Sequence, residues 1–172
     1  MGEKLELLFS QKEIEQVVAR LAKEISADYA TKNVVLIGVL KGAFVFLADL
    51  VRQLTIPVEI DFMRISSYGS QKESSGKIKV TKDVEVPLEG KDVLIIEDIV
   101  DTGLSLKFLV DHILAQNPSS LRICALVDKK ARREVEVQVD YIGFEMEEGF
   151  IVGYGIDFDE RYRYLPAIFV VN

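Results

Sequence analysis

Residues 93–106 read VLIIEDIVDTGLSL, an aliphatic run that ends in two acids and continues into a glycine turn. The aliphatic residues predict a buried strand, and the sequence from Leu104 onwards predicts a helix. Glu97, Asp98 and Asp101 place three carboxylates within five positions. These carboxylates repel one another unless a cation or a hydroxyl-rich ligand lies beside them. A strand followed by a turn and a helix is the repeating unit of a parallel α/β sheet.

The same alternation of strands and helices extends along the chain in both directions. Ser10 and Glu13 have the spacing of a capping box at the start of an amphipathic helix over residues 11–30. Two further helices are predicted over residues 42–54 and 104–116. Strands are predicted at 33–40, 58–69, 77–82, 92–98, 121–128, 137–145, 150–155 and 167–171. The predicted fold class is α/β, a central parallel sheet flanked by helices, with extra antiparallel strands.

Length and composition limit the classes of protein to consider. The 172 residues suit a single domain over residues 1–172. Lys plus Arg number 21 against 28 Asp plus Glu, and the net charge of −7 argues against binding of nucleic acid or of an anionic membrane. No apolar run reaches about 18 residues, so no membrane span is expected. The single Cys124 excludes a disulfide within the chain, and we expect a cytoplasmic protein.

The end of the strand at 92–98 combines groups that suit two parts of one ligand. Ligands of open parallel sheets lie beyond the carboxyl ends of the strands. Glu97 and Asp98 there suit sugar hydroxyls, directly or through a divalent cation. A phosphate suits backbone N–H groups and hydroxyls at a helix N-terminus. These are offered by Thr102, Gly103, Leu104 and Ser105. The pattern therefore predicts binding of a ribose 5-phosphate.

The segment resembles the phosphoribosyl pyrophosphate motif of the type I phosphoribosyltransferases, in which an aliphatic strand, two acids and two aliphatic residues precede Asp-Thr-Gly. From about residue 5 to its end, the chain further resembles the hypoxanthine-guanine phosphoribosyltransferases. Four stretches carry this narrower resemblance: LKG (40–42), SSYGS (66–70), LVDKK (126–130) and GFIVGYGIDFDERYR (149–163). The resemblance implies the type I phosphoribosyltransferase fold with a mobile hairpin lid.

The resemblance assigns donor binding to several parts of the chain. It places Lys41 and Gly42 in the pyrophosphate-binding loop, and Ser67 and Tyr68 at the start of the lid. Arg163 is implied to clamp the leaving pyrophosphate, for which a guanidinium fork is suited. The implied cofactor is Mg²⁺. Its implied ligands are Glu97, Asp98 and Asp157.

The resemblance also assigns the residues that hold the purine. Asp101 is implied to lie near N7 of the base and to accept or share its proton, a general acid/base role. Lys129 is implied to meet the exocyclic oxygen of the purine. Phe150 would stack on the ring, and the backbone of Ile151 would hydrogen-bond the base edge.

The implied activity is transfer of the 5-phosphoribosyl group from phosphoribosyl pyrophosphate to hypoxanthine and guanine, which gives IMP and GMP plus pyrophosphate in purine salvage. Alternatives stay open. Within the same enzyme class they are a preference for xanthine or for adenine. Outside it they are a pyrimidine-operon regulator of the same superfamily that binds RNA, and a structural protein whose acids are idle. The net charge of −7, Lys129 and Phe150 argue against the regulator. The resemblance also implies a homodimer or homotetramer.

Overall fold

The computed structural model describes residues 3–68 and 77–172. Within these ranges the helices are α1 (Gln11–Asp28), α2 (Phe44–Val51) and α3 (Leu104–Leu114). The strands are β1 (Leu5–Phe9), β2 (Val34–Val39), β3 (Val58–Tyr68), β4 (Lys77–Lys82), β5 (Asp92–Val100), β6 (Ser120–Lys129), β7 (Tyr141–Met146), β8 (Ile151–Val152) and β9 (Ile168–Val171).

The main sheet has the strand order β4-β3-β2-β5-β6-β7. The strands from β3 to β7 in this order are parallel, and the edge strand β4 runs antiparallel to β3. A smaller antiparallel sheet, in the order β1-β9-β8, joins the N-terminal strand to the C-terminal one. The predicted α/β class, with a central parallel sheet and extra antiparallel strands, is confirmed.

Both faces of the main sheet are covered because its central strands are apolar on both faces. Every residue of β2 is buried, as parallel strands between two layers require. Val34 and Leu36 belong to the core shared with α1 and α2, whereas Val35 and Ile37 belong to the core shared with α3. None of the helices in the described ranges is long and apolar enough to cross a membrane.

The start of α1 confirms the predicted capping box. The Ser10 hydroxyl accepts a hydrogen bond from Glu13 N at 3.2 Å. The Glu13 carboxylate in turn accepts one from Ser10 N at 2.8 Å. The two hydrogen bonds satisfy backbone N–H groups that the first turn of a helix leaves without partners.

Several predicted elements end a few residues away from the observed bounds, and three of the differences have a local reason. α2 begins at Phe44 rather than at residue 42, because the preceding residues form a turn after β2. Residues 137–140 lie outside a strand, since their alternating burial comes from packing against the α3 layer. β8 ends at Val152 because positive φ angles at residues 153–155 turn the chain. β1 was missed by the sequence analysis altogether.

The sheet order decides where a ligand is expected. The chain passes from β2 outward to β3, and it returns to β5 on the opposite side of β2. The direction of strand addition therefore reverses between β2 and β5. In open α/β sheets, ligands bind beyond the carboxyl ends of the strands at such a point. Residues 93–106 lie at this place.

Candidate active site

Glu97 and Asp98 lie side by side near the carboxyl end of β5. Glu97 is buried, and its Oε1 accepts a hydrogen bond from Asp98 N at 3.2 Å. Burial and then the charge of Asp98 raise the pKa of Glu97 well above its usual value. Burial also raises the pKa of Asp98, and hydrogen bonds and the charge of Arg163 oppose this in part. The pair is a desolvated acidic site that a cation would stabilise.

Gly42 brings the turn after β2 against the Asp98 carboxylate. A Cβ placed on Gly42 would lie 1.8 Å from Asp98 Oδ2, so a side chain at this position would displace the acid. A Cβ on Gly155 would lie 2.6 Å from Gly42 O, which places the C-terminal segment against the same turn. The peptide bond between Leu40 and Lys41 in this turn is cis. The ends of β2 and β5 therefore meet the C-terminal segment at one point.

Lys41 and Arg163 share acidic partners in the C-terminal segment. Lys41 Nζ lies 2.9 Å from Glu160 Oε2. Arg163 Nη2 lies 3.1 Å from Asp157 Oδ1 and 3.4 Å from Glu160 Oε1. Arg163 Nη1 also donates a hydrogen bond to Gly155 O at 2.8 Å. The two predicted pyrophosphate-binding cations are therefore joined through Glu160.

Asp101 and Lys129 lie at the ends of the neighbouring strands β5 and β6. Lys129 is buried, and its Nζ donates a hydrogen bond to Gly149 O at 2.8 Å. Asp101 Oδ2 lies 3.9 Å from Lys129 Nζ and 3.5 Å from Arg132 Nη1. Asp101 Oδ1 is buried and has no hydrogen-bond partner among the described residues. A buried acceptor of this kind suits an N–H donor from a ligand.

The carboxylates of residues 93–106 thus have different surroundings. Glu97 is buried beside Asp98, and the two carboxylates repel each other. The charge of Asp101 faces two cations instead. The acids can therefore serve different parts of one ligand, as the sequence analysis expects.

Phe150 presents an aromatic ring next to the carbonyl that holds Lys129. Its side chain is 53% exposed, which is unusual for a phenylalanine. Phe158 meets it edge to face at a centroid distance of 5.3 Å. Ile151 follows as the buried first residue of β8. An exposed ring fixed by one aromatic neighbour suits stacking of a flat ligand.

The turn after β5 leads directly into α3. Gly103 precedes the helix with a φ of +87°, a left-handed conformation that favours glycine. Thr102 Oγ1 accepts a hydrogen bond from Leu104 N at 3.4 Å. Leu104 and Ser105 are exposed in the first turn of this 11-residue helix. Residues 102–105, the phosphate turn, therefore present a helix N-terminus to solvent, as an anion site requires.

Ser67 and Tyr68 lie at the end of β3, where they pair with Ile78 and Lys77 of β4. Ser67 is exposed. The predicted lid between the two strands falls on residues 69–76, outside the described residues, so its mobility stays a prediction.

The predicted metal ligands do not form one cluster. In residues 3–68 and 77–172, no three Asp, Glu, His or Cys side chains are grouped so that they could hold a metal ion. Glu97 and Asp98 are neighbours, whereas Asp157 is engaged by Arg163. Mg²⁺ commonly binds through one or two carboxylates, waters and substrate phosphates rather than through an all-protein cage. Glu97 and Asp98 fit an ion bound in this way without a third carboxylate grouped beside them.

Comparison with known proteins identifies the family. Residues 5–159 match the phosphoribosyl transferase domain family. The chain belongs to the phosphoribosyltransferase family. It is similar to the hypoxanthine-guanine phosphoribosyltransferase of Aquifex aeolicus, with 46% identity over 99% of this chain and 97% of the relative. It is also similar to the enzyme of that name from Dictyostelium discoideum, with 50% identity over 95% of this chain and 93% of the relative.

Solved structures agree with this membership of the phosphoribosyltransferase family. A hypoxanthine-guanine phosphoribosyltransferase from Bacillus anthracis matches with a TM-score of 0.93 and 43% identity, over 99% of each chain. A hypoxanthine phosphoribosyltransferase from Staphylococcus aureus matches with a TM-score of 0.93 and 38% identity, over 97% of this chain and 91% of that one. The resemblance and the type I phosphoribosyltransferase fold are confirmed.

Several residues of this phosphoribosyltransferase site were not predicted from the sequence. Arg132 and Arg133 end a basic run that follows β6 directly, and such a run at a strand end was a usable signal. Glu160 lies inside the segment that carries the resemblance, but its link to both Lys41 and Arg163 depends on the fold. Gly149 acts through its backbone carbonyl, for which a sequence holds no signal.

Proposed function

We propose that this phosphoribosyltransferase transfers the 5-phosphoribosyl group from phosphoribosyl pyrophosphate to hypoxanthine and guanine. The products are IMP and GMP plus pyrophosphate. The observation that carries the proposal is the order of groups from the last part of β5 onward: a desolvated acid pair, then Asp101 beside Lys129, then the phosphate turn. The relatives from Aquifex aeolicus and Dictyostelium discoideum, which match nearly the whole chain, support the 6-oxopurine acceptor.

The purine lies between Phe150 and the pair formed by Asp101 and Lys129 in this proposal. The ring stacks on the exposed Phe150 side chain, an interaction worth roughly 1–3 kcal/mol. Lys129 leaves Gly149 O and donates to the 6-oxygen, and the Ile151 backbone hydrogen-bonds the base edge. Asp101 Oδ1, a buried acceptor without a partner among the described residues, takes or shares the proton at N7.

The transfer itself exchanges one bond to the ribose for another. The C1–O bond to pyrophosphate breaks with its electron pair on the pyrophosphate oxygen, a ring nitrogen of the purine bonds to C1, and the base loses one proton. Positive charge builds on the ribose as the old bond loosens. Glu97 and Asp98, on the hydroxyl side, favour that charge.

The donor is held at its two charged ends. The 5-phosphate binds the phosphate turn, where Thr102, Gly103, Leu104 and Ser105 supply N–H groups and hydroxyls. The pyrophosphate binds Lys41, the backbone at Gly42, and Arg163, with Ser67 and Tyr68 reaching it from the predicted lid. A closed lid would keep water from the reacting ribose.

We propose Mg²⁺ as the cofactor, held by Glu97, Asp98 and Asp157. The bound ion would neutralise the charge of the leaving pyrophosphate. The supporting observation is the desolvated acid pair, whose two like charges repel each other and would be stabilised by a divalent cation. Asp157 lies beside Arg163, so it would serve the metal and the pyrophosphate at the same end of the donor.

The decisive experiment is an assay of purified protein with the donor, Mg²⁺ and each purine in turn. We expect nucleotide formation with hypoxanthine and guanine. A protein that turns over xanthine faster than either would be the xanthine-preferring enzyme. A protein that forms no nucleotide but gives a salt-sensitive RNA shift would be the regulator.

Asp101→Asn tests the role of the proposed proton acceptor. The amide keeps the shape of the side chain but cannot accept the proton, so kcat should fall roughly 10²–10⁴-fold, with donor affinity little changed. Asp111→Asn is the control, because Asp111 is an exposed acid in α3 that pairs with Lys107. Near-normal kcat in Asp101→Asn would show that the proton leaves by another route.

We further propose a cytoplasmic homodimer or homotetramer whose single domain spans residues 1–172. Phe44 and Tyr164 are 44% and 82% exposed, and each is within three residues of a pyrophosphate-binding cation. A matching structure of Trypanosoma cruzi hypoxanthine phosphoribosyltransferase concerns the role of the C-terminal region in oligomeric state and enzymatic activity. Light scattering gives the molar mass of Tyr164→Ser and of wild type in solution. A smaller mass for the variant would show that the exposed surface at Phe44 and Tyr164 forms the contact between subunits.

A further inference from the structure

Arg133 joins the ends of two strands that carry the proposed purine-binding groups. Its Nε donates a hydrogen bond to Asp101 O at 3.0 Å, and its Nη2 donates one to Lys129 O at 3.2 Å. Nη2 also pairs with the carboxylate of Asp128. The Arg133 side chain is 18% exposed, and that of Asp128 is 4% exposed. The guanidinium is therefore partly buried among three acceptors.

The contacts of Arg133 begin where the backbone ladder between β5 and β6 ends. The last paired residues of the two strands are Val100 and Asp128. Asp101 and Lys129 are one position further along, beyond the hydrogen bonds that fix the spacing of β5 and β6. Arg133 spans this position because it binds one main-chain carbonyl on each side.

The backbone that follows Arg133 packs on the phosphate turn. Glu134 N and Val135 N both donate hydrogen bonds to Thr102 O, at 2.9 and 3.1 Å. A Cβ on Gly103 would lie 3.2 Å from Arg133 Cδ. The phosphate turn is thus supported by main-chain bonds that a change of the Arg133 side chain leaves in place.

We propose that Arg133 is a positioning residue that sets the distance between Asp101 and Lys129 in the reacting enzyme. The inference rests on the proposed function, since it concerns the two groups assigned to the purine. Arginine suits the task because its planar fork carries several donors in fixed directions. An ammonium could keep the charge opposite Asp128 but could not hold both carbonyls in the same geometry.

Two variants separate positioning from folding. Arg133→Gln removes the fork and the charge, whereas Arg133→Lys keeps the charge beside buried Asp128. We expect kcat to fall on the order of 10²-fold in Arg133→Gln, since a misplacement of about 1 Å can cost that much. Most of the loss should remain in Arg133→Lys, although its melting temperature stays near that of wild type. The KM for purine should rise in both, while donor affinity, titrated without purine, changes little.

Arg20→Gln is a matched control, because the bonds of Arg20 within the described residues reach none of the proposed site residues. Arg20 Nη2 also binds two main-chain carbonyls, Ile142 O at 2.9 Å and Gly143 O at 3.1 Å, and Nη1 pairs with Glu24. Its loss should lower the melting temperature but leave kcat and both KM values unchanged. The rates of all variants are compared at a temperature where each is folded.

The proposal is overturned if Arg133→Lys restores wild-type kcat, because charge alone would then suffice. It is also overturned if kcat in Arg133→Gln falls no more than in Arg20→Gln, or if donor affinity falls as much as purine KM rises. Absence of nucleotide formation by wild type is a separate result, since it contradicts the proposed function before any variant is compared.

Discussion

Gly103→Ala tests whether the phosphate turn needs glycine both for its left-handed backbone and for the lack of space for a Cβ. Gly103 has a φ of +87°, and a Cβ there would lie 2.6 Å from Val135 O and 2.8 Å from Val137 Cγ2. Gly90 supplies the matched control, because it has a φ of +73° but nothing within 4 Å of its Cβ position. Gly90→Ala therefore measures the cost of the left-handed backbone alone.

The two contributions give different losses of stability. A left-handed conformation costs an ordinary residue about 1–2 kcal/mol, which applies to both variants. Overpacking costs a further 1–3 kcal/mol or so, and it applies only at Gly103, where the obstacle is a backbone carbonyl that cannot rotate away. Since about 1 kcal/mol lowers Tm by 2–4 °C in a domain of this size, Gly90→Ala should lose about 2–8 °C and Gly103→Ala about 4–20 °C.

The functional difference is sharper than the difference in stability. Movement of the turn in Gly103→Ala should turn N–H groups away from the phosphate, so donor affinity falls, whereas Gly90→Ala binds donor as wild type does. Melting curves and donor titrations of the three proteins measure both effects. Equal Tm losses in the two variants would refute the clash with Val135, and unchanged donor affinity in Gly103→Ala would refute the assignment of the turn to the phosphate.

Three further predictions concern the base, the metal and the stability of the fold. Lys129→Ala should raise the KM for 6-oxopurines far more than it weakens donor binding, and an equal loss of both would make Lys129 structural. Excess chelator should abolish activity, and added Mg²⁺ or Mn²⁺ should restore it; full turnover in chelator would contradict the metal site. Asp61→Asn should lose about 1–3 kcal/mol of unfolding free energy at neutral pH, since the buried carboxylate accepts three backbone N–H bonds. Burial raises the pKa of Asp61, but the three hydrogen bonds and the charge of Lys82 lower it by more, so the net shift is downward. The ionised carboxylate therefore stabilises the fold fully above about pH 4, and this stabilisation is lost as the pH falls through the folded pKa. Urea unfolding of wild type and Asp61→Asn at neutral and at acid pH checks this. A difference in unfolding free energy that stays the same in acid would contradict it.

Sequence predicts two kinds of element well: strands that are buried on both faces of the sheet, and helices whose first residues carry a capping motif. β2 and the start of α1 are examples, since an unbroken aliphatic run and a capping box leave little choice. β1 shows the limit. Its sequence LELLF is paired only by the C-terminal strand β9, more than 150 positions away, and a local pattern carries no information about such a partner.

The predicted site residues also fall into two groups, those placed by their order along the chain and those brought together only by the fold. The acid pair lies in β5 and the phosphate turn follows that strand directly, so the order of residues along the chain already places them. The link from Lys41 to Glu160 joins positions 119 apart, and the contact of Gly42 with Asp98 depends on how β2 and β5 pair. Physical spacing between strands, rather than residue type, decides these contacts.

The cations proposed for the donor and the purine all have acidic partners within the described structure. Lys41 and Arg163 meet Glu160 and Asp157, and Lys129 meets a carbonyl and Asp101. The pair of Lys41 and Glu160 is 44% and 63% exposed, and exposed pairs are worth only about 0–1 kcal/mol. A donor that carries several negative charges can displace such a carboxylate at little cost. A protein of net charge −7 could therefore hold the proposed cationic pyrophosphate site without leaving Lys41 and Arg163 unpaired.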